Sequence, residues 1–269
     1  GFDSCRYGLV ICNERFRAVL RRFVSAPVAW SMALASCRGD RGARSTHEPM
    51  NVTGPIRRHA SAAPHASAIV RHRGDVSYRQ LDRLLDAPAL RVIDLGFQPD
   101  IARLAFPDVT GSGSAFRFFV LALGIARAGD STKLAEASDE PFVACFTDTA
   151  GAAAGTRRSI VVDESWFDAP PDTVEIDAVA SHADVAAIGR IAVTSGTAGT
   201  SKQVALSHDV MVRRIEGRGA VDVHPAQPVV VVHIGPRSNV GFRIVLRALN
   251  AGATIAMARS PGDFLRAIA

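Results

Sequence analysis

Between Val193 and His208 the chain reads Val193-Thr-Ser-Gly-Thr-Ala-Gly-Thr-Ser-Lys-Gln-Val-Ala-Leu-Ser-His208. An apolar segment, Ile188 to Thr194, leads in as a strand, and Val204 to Leu206 leads out. Between them lies a loop with Gly196, Gly199, several hydroxyl side chains and Lys202. Such a loop can fold its backbone N–H groups and hydroxyls around a phosphate, with the lysine supplying positive charge. Glycine suits it because backbone must approach the ligand closely. A Walker A loop needs Gly-x-x-x-x-Gly-Lys-Ser/Thr. Counting from Gly196 puts Ser201 before Lys202 and Gln203 after it, so the chain is not a P-loop NTPase. A Ser/Thr/Gly-rich surface turn is the competing explanation, and the residue order with its Ser207-His208 tail weighs against it.

The run resembles the signature loop of the acyl-adenylate-forming (AMP-binding) enzymes, which include acyl-CoA synthetases, peptide-synthetase adenylation domains and luciferases. Their pattern is Thr-Ser-Gly-Thr-Thr-Gly-x-Pro-Lys-Gly, followed by Ser-His. Here Ala198 replaces the second Thr, Ser201 replaces Pro, and Gln203 replaces the Gly after Lys. One hydroxyl is lost and the loop is loosened, since Pro fixes φ, but the lysine and two glycines remain.

Composition narrows the function class. The pI near 9.5 suggests a polyanion partner, but the charge is misplaced for one. Residues 1–49 hold eight arginines against four acids, while the rest of the chain is nearly balanced, with 23 basic and 22 acidic residues. No Lys/Arg run interleaved with aromatics marks a nucleic-acid face. Lys133 and Lys202 are the only lysines, which makes the loop lysine conspicuous in a chain that otherwise uses arginine. Cys5, Cys12, Cys37 and Cys145 form no C-x-x-C pair, so neither zinc nor redox chemistry is signalled. No apolar stretch has the length of a transmembrane helix. A reduced, cytoplasmic protein is expected.

The first 49 residues lack clear periodicity and are expected to lie outside the domain, which is assigned to residues 50–269. Arg21-Arg22, the stretch to Ser36, and Cys37 form a faint lipoprotein-type signal. The alternative is upstream sequence translated in frame, with the gene starting at Met50. An ATP-dependent enzyme has no ATP outside the cell, which favours the second reading.

From Met50 onward the pattern alternates. Ile56 to Pro64 reads as an amphipathic helix stopped by proline. Ala68–Val70 and Val76–Tyr78 read as short strands around an Arg73-Gly-Asp75 turn. Ser77 is placed to cap a helix from Arg79 to about Leu95, with Gly96 ending it and Pro88 a residue able to interrupt it. Ile101–Phe106 is a strand, Pro107–Ser114 a loop. Phe116, Phe119, Val120 and Leu123 then have helical spacing up to Gly129. Gly111-Ser-Gly113 invites a dinucleotide reading, but the third glycine would fall on Phe116. Strands are expected at 142–146, 158–162 and Val229–Ile234, a helix from Ser207 to about Arg218, another at Val240–Asn250, and a strand at Ala251–Ala256.

This order is similar to the family's, including Arg127-Ala-Gly129 and Ala251-Gly-Ala-Thr254. The resemblance implies an α/β fold, the N-terminal part of the adenylate-forming large domain. Its βαβ units would build mixed or mostly parallel sheets flanked by helices. It implies ATP-dependent activation of a carboxylic acid to acyl-AMP with release of pyrophosphate. Transfer to a thiol, CoA or a carrier pantetheine, follows. An acyl-CoA synthetase-like ligase of this kind belongs to fatty acid metabolism; a peptide-synthetase adenylation domain is the alternative. Thr194, Ser195, Gly196, Thr197, Ala198, Gly199 and Lys202 would then hold the nucleotide phosphates, with Lys202 stabilising pyrophosphate. Mg²⁺ would bridge phosphate oxygens, with no evident carboxylate for it here. The family's pocket-bordering loop histidine falls on Ser238, and His233 reads as a strand-end histidine. The downstream aromatic-Gly-x-Thr-Glu segment, ribose aspartate and late lysine are not in this sequence. The chain is therefore expected to be a fragment, inactive alone, or a non-catalytic nucleotide-binding remnant.

Overall fold

A computed structural model describes residues 10–12, 51–71, 74–96, 101–105, 112–134, 144–147, 159–168, 185–194, 202–216, 229–232 and 238–257. Among these residues the strands form two sheets. The first runs β1 (Val10–Cys12), β10 (Val229–Val232), β11 (Thr254–Met257), β2 (Ser67–Val70), β3 (Val76–Ser77). The second runs β7 (Ser159–Val161), β6 (Ala144–Thr147), β4 (Ile101–Ala105), β5 (Ser131–Leu134), β8 (Ile188–Thr194), β9 (Lys202–Ser207). Its first five members are parallel and β9 returns antiparallel. The first sheet is mixed: β10, β11 and β2 are parallel, with β1 and β3 antiparallel at its edges. The edge strand Val10–Cys12, from within the first 49 residues, pairs with Val229–Val231.

Five α-helices among the described residues join these strands: α1 (Gly54–Ala62), α2 (Tyr78–Asp94), α3 (Ser112–Arg127), α4 (His208–Glu216) and α5 (Asn239–Asn250). Parallel neighbours need a crossover. Helix α3 supplies it between β4 and β5, and α5 between β10 and β11. The edge of Phe119 on α3 meets Phe242 on α5, ring centroids 5.6 Å apart, within one buried apolar cluster.

Helix α2 begins with a capping box. The Gln80 N–H donates to Ser77 Oγ at 3.2 Å, and the Ser77 N–H donates to Gln80 Oε1 at 2.9 Å. Pro88 does not interrupt the helix, which runs unbroken from Tyr78 to Asp94. Proline removes one helical hydrogen bond and needs room for its ring. Gly124 of α3 provides that room, because a Cβ there would lie 2.3 Å from Pro88 Cγ. The loop expected through Ser114 is also shorter, since α3 already starts at Ser112.

Strand β5 had no counterpart in the sequence reading. Ser131 and Thr132 are buried despite their hydroxyls. The Thr132 hydroxyl lies 3.5 Å from the Gly189 carbonyl of β8. A short 3-10 turn at Glu164–Phe167 was likewise unexpected; it seats Trp166 against Phe146, centroids 5.7 Å apart.

Charge is buried where α1, α2 and α3 meet. Arg127, 1% exposed, donates through Nη1 to Asp86 Oδ1 and through Nη2 to Asp82 Oδ1, both at 2.6 Å. Its Nη1 also donates to the Asp82 carbonyl at 2.9 Å, and Nε to Thr53 Oγ1 at 3.1 Å. Arg57 of α1 adds Nη2 to Asp86 Oδ1 at 3.0 Å. Two guanidinium groups thus face two carboxylates, and the cluster is neutral. Burial holds the Asp86 carboxyl above the usual carboxylate range, opposed by the charge and hydrogen bond of Arg127. The folded state therefore keeps this proton at a higher pH than the unfolded chain does. The contribution of Asp86 to stability falls as pH rises through that interval.

Arg127→Ala leaves two buried carboxylates with the single guanidinium of Arg57 and is expected to cost about 3–5 kcal/mol in urea unfolding; a loss under 1 kcal/mol would show that the cluster is not closed. Gly124→Ala is expected to cost about 1–3 kcal/mol by overpacking. In a Pro88→Ala background most of that cost should disappear, as read from a double-mutant cycle.

Candidate functional site

The β8–β9 hairpin presents the loop identified in sequence. Strand β8 is parallel to β4, β5, β6 and β7, so Thr194 lies at their common carboxyl end. That end of an open α/β sheet is where ligands bind. Strand order adds a second indication: β4 leads through α3 to β5 on one side, and β6 lies on its other side.

Within the hairpin, Val193 pairs with Gln203 and Thr194 with Lys202. The first and last residues of the proposed phosphate loop are therefore directly opposed at its mouth. Ser195, Gly196, Thr197, Ala198 and Gly199 lie outside the described residues, as does His233.

At its base, the hairpin is tied into the protein. Ser207 accepts a hydrogen bond from the Val210 N–H at 3.3 Å, opening α4 as the sequence suggested. His208 is 0% exposed, and its Nδ1 accepts from the Val52 N–H at 3.3 Å. Pairing shifts by one residue between Ile188 and Arg190, which makes Gly189 a bulge. A Cβ on Gly189 would lie 2.7 Å from Met211 Cε and 2.9 Å from His208 Cε1. Beside the bulge, Arg190 is buried with its guanidinium 4.0 Å from the Phe242 ring centroid. Burial pulls the Arg190 pKa down to about 10. Neither Gly189 nor Arg190 had been singled out in sequence; the Ser207-His208 tail was the available signal for this base.

Ser238, where the family's loop histidine would fall, is the N-cap of α5: its Oγ accepts from the Gly241 N–H at 2.9 Å. Among the described residues no group of three or more His, Cys, Asp or Glu is placed to hold a metal ion. No helix among them is long and apolar enough to cross a membrane.

Comparison with protein-family models finds no match, and comparison with curated proteins finds no relative. Solved structures do match. The inhibitor-bound N-terminal domain of FACL13 from Mycobacterium tuberculosis superposes with a TM-score of 0.64 at 18% identity, over 81% of this chain and 60% of that one. The fold is that of the N-terminal domain of the acyl-adenylate-forming enzymes. VinN in complex with 3-methylaspartate matches at TM-score 0.61 and 17% identity, over 81% of this chain and 63% of that one. O-succinylbenzoate coenzyme A synthetase (MenE) from Bacillus subtilis, in complex with AMP, matches at 0.58 and 13%, over 80% and 58%. The chain thus spans about six-tenths of the length of these structures. The sequence-derived expectation of an α/β fold of this kind agrees with the likeness.

If Ser238 is a helix cap and nothing more, Ser238→Ala should cost about 1 kcal/mol in thermal or urea unfolding. Nucleotide affinity should stay unchanged in titration calorimetry; a weakened affinity would place Ser238 in the ligand site.

Proposed function

We propose that this chain is the nucleotide-binding N-terminal part of an AMP-forming ligase that activates a carboxylic acid. The observation that carries the reading is the register of β8 and β9, which sets Thr194 opposite Lys202 across a Ser/Gly/Thr loop at the carboxyl end of the parallel strands. Structures of the same fold supply support: one is in complex with AMP, another with an amino acid that carries carboxylates.

In this account ATP lays its β- and γ-phosphates in the loop. Backbone N–H groups around Gly196 and Gly199 donate to phosphate oxygens, together with the hydroxyls of Ser195 and Thr197. Ala198 contributes backbone alone. Thr194 orients the loop entrance. The substrate carboxylate attacks the α-phosphorus, the bond from the α-phosphorus to the bridging oxygen breaks, and acyl-AMP and pyrophosphate form. Charge grows on the departing pyrophosphate, and Lys202 offsets it, so positioning plus electrostatics supply the rate. Mg²⁺ bound to the phosphates would neutralise further charge. A thiol, from CoA or a carrier pantetheine, then takes the acyl group and releases AMP. Dependence on ATP places the reaction in the cytoplasm. The carboxylic acid is its small-molecule partner; no nucleic acid takes part.

ATP–pyrophosphate exchange with a panel of carboxylic acids tests this reading. In the full-length protein that contains this chain acid-dependent exchange is expected, and Lys202→Ala there should lower it about 10²–10³-fold with the unfolding midpoint nearly unchanged. Undiminished exchange in the variant would remove Lys202 from the mechanism. ATP binding with no exchange for any acid would instead point to a nucleotide-binding remnant without turnover.

A further inference from the structure

The hairpin that carries the loop has little of its own to fix its register. Register is normally specified by burying one face of a strand, and Gly-rich or two-sidedly exposed strands specify it weakly. Gln203, Val204 and Ala205 of β9 are all exposed, Val204 at 37%, and of its described side chains Leu206, two residues before His208, packs partly against the core. The intervening loop is seven residues long and contains two glycines. Strand β8 is held by Arg190, Ile191 and Ala192, which are buried, but these residues do not constrain where β9 lies along it.

We propose that His208 is the positioning residue that sets this register, and so places Lys202 opposite Thr194. Four observations converge on it. The His208 N–H donates to the Ala187 carbonyl at 3.2 Å, and the next N–H, from Asp209, donates to the Val185 carbonyl at 3.0 Å, which closes the hairpin base. The ring lies over Gly189, the bulged residue, where a side chain would collide with it. It is fully buried. Nδ1 is held by the Val52 N–H, which lies 156 residues away in sequence. A slip of β9 by one residue would require the ring to leave the bulge and to break the Val52 hydrogen bond. It would also take Lys202 out of its pairing with Thr194.

Because Nδ1 is the accepting atom, shape and acceptor position can be separated by substitution. Asparagine can place its Oδ1 where Nδ1 stood, glutamine places an acceptor nearer Nε2, and phenylalanine keeps the volume without an acceptor. The functional consequence rests on the phosphate-loop reading above; the register claim does not.

Cross-strand cysteine pairs in the full chain, with the native cysteines replaced, provide the test. Two pairs report the native register: Val193→Cys with Gln203→Cys, and Ala192→Cys with Val204→Cys. One pair, Val193→Cys with Val204→Cys, reports the slipped register. With His208 intact, at least one native pair should oxidise and the slipped pair should not. His208→Gln and His208→Phe are expected to lower native-register cross-linking about tenfold, as the loss of one buried hydrogen bond would, and to raise the slipped pair. His208→Asn should restore the native pattern. In parallel, the ATP KM in pyrophosphate exchange should rise with Gln and Phe, recover with Asn, and leave the acid KM unchanged. Equal native-register cross-linking in the Asn, Gln and Phe variants overturns the proposal, whatever the exchange assay reads. A register shift with no nucleotide binding in any protein, His208 intact included, would keep the register claim and overturn the phosphate-loop reading.

Discussion

The buried guanidinium of Arg127 is the contact on which the most separate pieces of this structure depend. It reaches Asp82 and Asp86 on α2, sits one hydrogen bond from Arg57 of α1 through Asp86, and holds Thr53 in the turn that precedes α1. Thr53 and Asn51 share a further bond, and Asn51 returns to the Ala126 carbonyl at 3.3 Å. The residue between them, Val52, is the donor to His208. One polar cluster therefore links three helices to the foot of the loop-bearing hairpin. Buried ions are expensive to desolvate, and such a cluster persists only when each charge meets an opposite one at close range. The paired geometry of Arg127 meets that requirement, which a hydrophobic contact in the same place could not do with the same directional control over the 51–53 turn.

The sheets meet the same logic from the apolar side. Phe242 of α5 is touched by Phe119 of α3 and by the Arg190 guanidinium of β8. The first sheet is tied to α2 by Tyr78, whose hydroxyl donates to the Ala253 carbonyl at 2.7 Å. Burial raises the Tyr78 pKa, so the group stays a donor across the working pH range. The result is a packed platform beside the carboxyl ends of five parallel strands, on which the proposed phosphate loop is mounted.

Much of this was legible in the sequence because local signals and tertiary structure agree. The strand Ile188–Thr194 was read with its observed ends, since an apolar run stops at a Gly/Thr loop. Ser77, Ser207 and Ser238 all act as caps; Ser238 had been considered only as the counterpart of a family histidine. The misreadings have tertiary causes. Pro88 lacks a helical N–H, and nothing local in sequence reveals that Gly124, 36 residues on, makes space for its ring. Strand β5 was passed over because Ser131 and Thr132 interrupt any apolar run, whereas in the sheet both are buried between parallel neighbours. Gly189 carries no signal as a bulge until the histidine that covers it is placed. The loop motif pointed to the site, and the pairing of Thr194 with Lys202 gives that motif its location on the sheet.

The central claim is that the segment between Thr194 and Lys202 binds the polyphosphate of a nucleotide. Hydrogen–deuterium exchange of the full chain with and without ATP and Mg²⁺ tests it most directly. The account predicts that slowed exchange appears first and most strongly in peptides spanning residues 193–203, and that AMP, lacking the β- and γ-phosphates, gives markedly weaker protection there. Protection by ATP confined to other segments, or equal protection by AMP and ATP across 193–203, would contradict it.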